Sequence, residues 1–212
     1  IKKAVFKKLK ENKELKTRII PEDLTKDGEY ESHKSLIKEL NNLKEAGKKI
    51  FVLTACHDYN EHGRSYKNDE FVPVKGTEFK ELFSLYYEFG FKDAVSLHEE
   101  TLSYITEIAP KTLLLALNCD SKRECKGLID ESLLNWAKEQ LDNAQKVGAR
   151  VIAMCHYPII PSVPVFDLVG DAHVKNWREV ASFLADNGVK LVLTGHMHIQ
   201  SINEFVSEKG NK

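Results

Sequence analysis

Two histidines, His196 and His198, stand two positions apart after a glycine in "LVLTGHMHIQ" at residues 191–200. In an extended chain, residues i and i+2 project to the same side. Neutral imidazole is the commonest protein ligand for transition metals, so such a pair can serve one ion. The pattern of an apolar run followed by a metal-binding residue recurs elsewhere. Asp23 follows "RIIPE", the trio Cys56, His57 and Asp58 follows "IFVLTA", and His156 follows "VIAMC". Carboxylate, thiolate and imidazole are the donors that Zn²⁺, Mn²⁺ and Fe take. One histidine at a strand end is ordinarily structural, whereas four strand ends delivering Asp, Cys or His point to a metal site. Other polar residues read more plainly. Asn118 and Asp120 are turn formers, His33 and His62 are solvated in a helix and a loop, and His98 and His173 are caps or exposed. Trp136 and Trp177 fall on apolar helix faces and belong to the core.

Strands and helices alternate along the chain and must position these groups. "KKAVFKKLKENKELK" reads as a short helix, and "TRII" as a brief strand. Leu36, Ile37, Leu40 and Leu43 keep helical spacing up to Gly47, a residue suited to ending a helix. "KIFVLTA" has the continuous apolar character of a strand covered on both faces. The polar stretch from Tyr59 to Gly76 shows no period and is expected to be a loop over a site. Phe79, Leu82, Phe83 and Tyr86 return to helical spacing. "LSYITEIA" and "KTLLLALN" form a hairpin about Pro110. Leu133 to Ala144 predicts a helix ended by Gly148, "ARVIAMC" a strand, Val174 to Leu184 a helix closed by Asn187-Gly188, and "VKLVLTG" a final strand. This order implies crossover connections and a mainly parallel sheet. In open α/β sheets, ligands bind beyond the carboxyl ends of the strands.

With 212 residues, 42% hydrophobic and 30% charged, the chain can build one globular α/β domain with a sizeable core. Its net charge of -1, with acids and bases intermixed, lacks the basic stripe of a nucleic-acid footprint. No apolar run approaches the roughly 20 residues that cross a bilayer, and no export signal is visible. The four cysteines, Cys56, Cys119, Cys125 and Cys155, lack C-x-x-C spacing. They read as free thiols of a reducing compartment, which favours the cytoplasm, with a Cys119–Cys125 disulfide as the alternative. Because the chain opens on Ile1, it reads as part of a longer protein, and an export signal could lie upstream.

In order, these segments resemble the calcineurin-like metallophosphoesterase superfamily. "PEDLTKDGE" stands at that family's G-D segment, "LTACHDYN" at T-G-N-H-D, "MCHYPII" at the lone-histidine segment, and "LTGHMHIQ" is an intact G-H-x-H. The resemblance implies a four-layer α-β-β-α sandwich formed by residues 1–212 as a single partial domain, missing its first strand and its closing strands. It implies that Asp23 bridges two divalent transition metals (Mn, Fe, Zn or Co), with one ion only as the alternative for this chain. Cys56, His156 and His196 would hold the second ion and His198 would belong to the first. His57, oriented by Asp58, would act as acid or charge stabiliser. The implied reaction is hydrolysis of a phosphomonoester or phosphodiester by metal-activated hydroxide.

The chain departs from that family's pattern in three places. The D-x-H motif is absent before Asp23. Glu22 replaces a glycine, and would strain the turn if that position needs φ > 0. Ala55-Cys56 replaces Gly-Asn, leaving Cys56 either as a thiolate ligand or as an inert buried thiol. The alternative function is a non-catalytic domain that keeps one metal and binds a phosphorylated ligand or partner.

Overall fold

The computed structural model describes residues 2–121 and 126–212. The chain divides into two compact units, Ile1–Lys92 and Asp93–Lys212. It is mixed α/β throughout, as expected.

The first unit opens with helix α1 (Lys2–Glu11) and strand β1 (Thr17–Ile20). Helix α2 (Tyr30–Glu45) connects β1 to the parallel strand β2 (Lys49–Val52), in the register Ile19↔Phe51. The inward stripe of α2 includes the buried Leu40 and Leu43. His33 lies three residues before Leu36 and four before Ile37, which sets it on the same stripe. It is fully buried there, which corrects the expectation of a solvated side chain. At the helix end, Gly47 takes φ +80°, and Lys48 N–H returns to the Leu43 carbonyl at 3.1 Å. This left-handed closure is the one glycine favours.

A short 3-10 turn (Cys56–Asp58) follows β2. The expected 59–76 loop is instead a hairpin of β3 (Asn60–Lys67) and β4 (Glu70–Thr77). Asn68 and Asp69 make its two-residue connection with φ of 51° and 64°. Tight hairpin turns need positive φ at both central residues, and Asn and Asp tolerate it best after glycine. Helix α3 (Phe79–Tyr86) continues into a 3-10 turn (Tyr87–Phe89), and Leu82, Tyr86 and Phe89 are buried.

The second unit carries a five-stranded sheet in chain order: β5 (Ala94–His98), β6 (Ser103–Ala109), β7 (Thr112–Leu117), β8 (Arg150–Cys155) and β9 (Val192–Leu193). Strand β5 has no counterpart in the sequence reading. Strands β5, β6 and β7 pair antiparallel, the β6–β7 hairpin about Pro110 as expected, while β7, β8 and β9 pair parallel. Helix α4 (Glu131–Lys146) joins β7 to β8, and α5 (Trp177–Asp186) lies between β8 and β9. The Asp130 carboxylate caps α4 by accepting Leu133 N–H at 3.0 Å. The core gathers Ile105, Leu115, Leu117, Leu133, Leu141, Ala153 and Leu184, with Trp136 and Trp177 packed against it.

The thiols of Cys119 and Cys155 lie 3.4 Å apart, both buried and both free. Burial and the neighbouring thiol hold Cys119 protonated, its pKa raised by the Cys155 hydrogen bond above all. Cys125, the other half of the disulfide alternative, lies outside the described residues.

Candidate metal centre

In the first unit, the segments after β1 and β2 are tied together by the carboxylate of Asp58. The residue is completely buried. Its Oδ1 accepts the N–H groups of Leu24 at 2.8 Å and Thr25 at 2.7 Å, and the Thr25 hydroxyl at 3.2 Å. Its Oδ2 accepts Ala55 N–H at 2.9 Å. Burial pushes its pKa up to about 7, helped by the charge of Asp23 and opposed by the donors from Ala55, Thr25 and Leu24. Gly28 N–H bonds the His57 carbonyl at 2.7 Å, with φ +66°. A Cβ at this position would lie 2.6 Å from the Asn60 backbone nitrogen, so only glycine fits.

This clamp places Asp23 beside the 3-10 turn, where it accepts His57 N–H at 3.3 Å. The exposed His57 ring sets its Nδ1 2.8 Å from the Lys26 carbonyl. A carbonyl only accepts, so Nδ1 carries the proton and Nε2 is turned free for chemistry. Lys26, not Asp58, therefore orients His57, which corrects that expectation. The Asp58 oxygens are already engaged by main-chain donors. Cys56 opens the turn and is half-buried. Glu22 is not among the residues of positive φ, so the strain anticipated from its side chain does not arise.

His33 sits behind the clamp. Its Nε2 lies 2.8 Å from the Asp58 carbonyl and its Nδ1 2.7 Å from the Tyr86 hydroxyl. The carbonyl needs a donor, so Nε2 bears the proton and Nδ1 accepts from Tyr86, a fully paired neutral ring. Burial lowers its pKa accordingly.

In the second unit, the carboxyl ends of β8 and β9 deliver His156 and His196. His156 is buried, and its Nε2 lies 3.2 Å from His196 Nδ1. His196 Nε2 donates to the Asp171 carbonyl at 2.6 Å, and Tyr157 stacks on the ring at 4.0 Å between centroids. In a neutral His196 ring, Nδ1 is thus the acceptor of the hydrogen bond with His156 Nε2. Gly195 N–H, bonded to the His156 carbonyl at 2.9 Å, draws the two segments together.

This pair fits a transition metal on donor chemistry. At bond lengths of about 2.0–2.1 Å, nitrogens 3.2 Å apart subtend about 100° at an ion, between octahedral and tetrahedral edges. The orienting carbonyl of Asp171 is the kind of outer partner that metal-bound histidines use.

The backbone after β9 is not an extended strand. His196 and His198 have φ of 68° and 53°, so both lie in the left-handed region. The period-two argument that paired their side chains does not apply. His196 meets His156, while His198 is exposed and makes no hydrogen bond among the described residues.

Of the remaining residues, His62 is exposed as expected. His98 is half-buried, bonded to Thr101 at 3.0 Å and Ser132 at 3.4 Å. His173 is buried rather than exposed, and its Nδ1 meets the Val174 carbonyl at 2.8 Å. Asn118 accepts Asp120 N–H at 2.9 Å, the turn role expected of it, although both residues are buried. Sequence reasoning missed Lys26 and Asp171 because both act through main-chain carbonyls, which carry no side-chain signature. Tyr157 had one visible signal, an aromatic beside a strand-end histidine.

The calcineurin-like phosphoesterase family model matches residues 3–200, and the chain belongs to that family of metal-dependent phosphoester hydrolases. No curated protein matches it.

Proposed function

We propose that this protein hydrolyses a phosphomonoester or phosphodiester with divalent transition metals held by Asp23, Cys56, His156, His196 and His198. The observation carrying this reading is the His156–His196 pair, two imidazole nitrogens 3.2 Å apart with one tautomer set by Asp171. Family membership and the order of the four strand-end motifs support adding Asp23, Cys56 and His198.

The bound ions supply Lewis acidity and lower the pKa of water toward about 7. His57 acts from Nε2. With the ring as imidazolium, protonated on both nitrogens, Nε2 would give its proton to the departing oxygen as water adds to phosphorus and the ester P–O bond breaks. The ring is left with its Nδ1 proton on the Lys26 carbonyl, and the proton lost by the water passes to solvent. The Lys26 carbonyl keeps that nitrogen outward. Asp58 is a positioning residue, holding the main chain on which both Asp23 and His57 stand.

The test is turnover of aryl phosphate mono- and diesters by the chain supplied with Mn²⁺, Zn²⁺ or Co²⁺. Metal-stimulated hydrolysis lost in both Asp23→Asn and His196→Ala is the expected result. Metal-independent or undetectable turnover overturns the reading.

A second reading, a metal-holding domain without turnover, draws on Cys56, whose anionic thiolate would blunt the Lewis acidity of a bound ion. Under it, Cys56→Asn raises the Mn²⁺-dependent rate. An unchanged rate removes Cys56 from the site.

A further inference from the structure

The β3–β4 hairpin carries a surface that the hydrolytic groups do not use. Tyr66 and Phe71 are cross-strand partners, their rings 5.1 Å apart and edge-on. They remain 59% and 58% exposed, so packing does not explain them. Arg64 shares their face, since alternate residues of a strand point the same way. Its guanidinium lies 5.9 Å from the Phe71 ring and its Nε bonds Asp27 at 3.0 Å. Lys26 reaches the same ring from outside the hairpin, with Nζ 5.1 Å from its centre. Neither Lys26 nor Lys75, which lies over Tyr30 at 3.7 Å, is ion-paired among the described residues.

Lys26 also links this surface to His57. Its carbonyl orients the His57 ring while its ammonium sits over Phe71. The hairpin face is therefore one lysine side chain away from the main-chain carbonyl that holds the His57 ring. Flat exposed rings suit a planar partner, and stacking is sequence-tolerant because every base offers a π-face. The cations of Lys26, Arg64 and Lys75 suit an anion; among the described residues, Asp27 is the one carboxylate that bonds any of them, at Arg64.

We infer that this face is the leaving-group subsite and selects nucleoside phosphates, with the base against Tyr66 and Phe71 and a phosphate oxygen beside Lys26. The inference rests on the ester-hydrolase reading for its chemistry, but its test does not need turnover.

That test is an NMR titration of the protein, without added metal, by adenosine 5′-monophosphate and by glycerol 3-phosphate. The two ligands carry the same phosphomonoester charge and differ in the alcohol esterified, a nucleoside against glycerol, so the Phe71 variants are what assign a preference to the base. The nucleotide should bind at least tenfold tighter and shift the amides of Lys26 and residues 64–72. Phe71→Ala and Phe71→Leu should each erase that tenfold difference, while Phe71→Trp keeps it. At an exposed position these variants keep their fold, which an unchanged spectrum elsewhere verifies. Equal affinities in the parent protein overturn the subsite, as does a preference that survives Phe71→Ala. Hydrolysis of both phosphates with Mn²⁺, run in parallel, judges the other reading, which fails only if neither is turned over. Turnover without base preference sinks the subsite alone. Base preference without turnover supports the subsite and sinks the hydrolase.

Discussion

The two groups of candidate ligands are held in place by different means. In the first unit, a buried carboxylate collects three main-chain N–H groups and one hydroxyl, and the site loops hang on it. In the second, two imidazoles meet directly, supported by one carbonyl and one stacked tyrosine. The first arrangement spends its side-chain acceptors on the fold, whereas the second sets two imidazole nitrogens against each other 3.2 Å apart. The contrast teaches that a strand-end acid near a site can be architectural while a neighbouring histidine is chemical.

The largest effect expected from this contrast is at Asp58. Asp58→Ala orphans three buried donors at about 1–3 kcal/mol each, so urea denaturation should show a loss of about 4 kcal/mol. A loss below about 1 kcal/mol would dissolve the distinction between the two regions. Gly28→Ala comes next. It forces a Cβ to within 2.6 Å of a backbone nitrogen at φ +66°, and should cost about 2–3 kcal/mol in the same measurement.

His196→Ala should reverse the pattern. Calorimetry should find Zn²⁺ affinity reduced at least tenfold, with stability changed by no more than about 1 kcal/mol. Unchanged affinity would remove the imidazole pair from metal binding.

The smallest effect concerns acid. Asp186 takes hydrogen bonds from Asn211 at 2.9 Å and Ser207 at 2.6 Å and an ion pair from Lys209 at 3.1 Å, which bring its pKa down to about 2. A depressed carboxylate stabilises above its ordinary value of 3.8 and loses that contribution as pH falls through the folded value. Amide protection across residues 203–211, corrected for intrinsic exchange, should therefore fall between about pH 4 and pH 2, and Asp186→Asn should remove that fall.

Much of the fold could be read from periodicity. The stripe Leu36, Ile37, Leu40, Leu43 and the runs "KIFVLTA" and "ARVIAMC" each became the element expected, because burial of an apolar face decides them locally. The hairpin was missed because its turn is Asn-Asp rather than the stronger Asn-Gly, and because its exposed strands lack an apolar face. His33 was misread through its residue type alone. Its position continues the inward stripe, and Tyr86, 53 residues away, supplies the partner that makes burial tolerable. The site was legible as a set of strand ends. How His57 and His196 are oriented was not, since both are steered by peptide carbonyls brought close only by the folded chain. The His196–His198 pairing failed because local backbone turned left-handed where extension was assumed.

Among the described residues, the hairpin also has two outer edges with no neighbouring strand. Such ribbons can recruit identical copies and polymerise. Pro73 removes one donor from β4, and Lys67, Glu70 and Lys75 place charge along the rims. Replacing these together should turn the ribbon into a seed for aggregation, a role for surface residues that otherwise look ornamental.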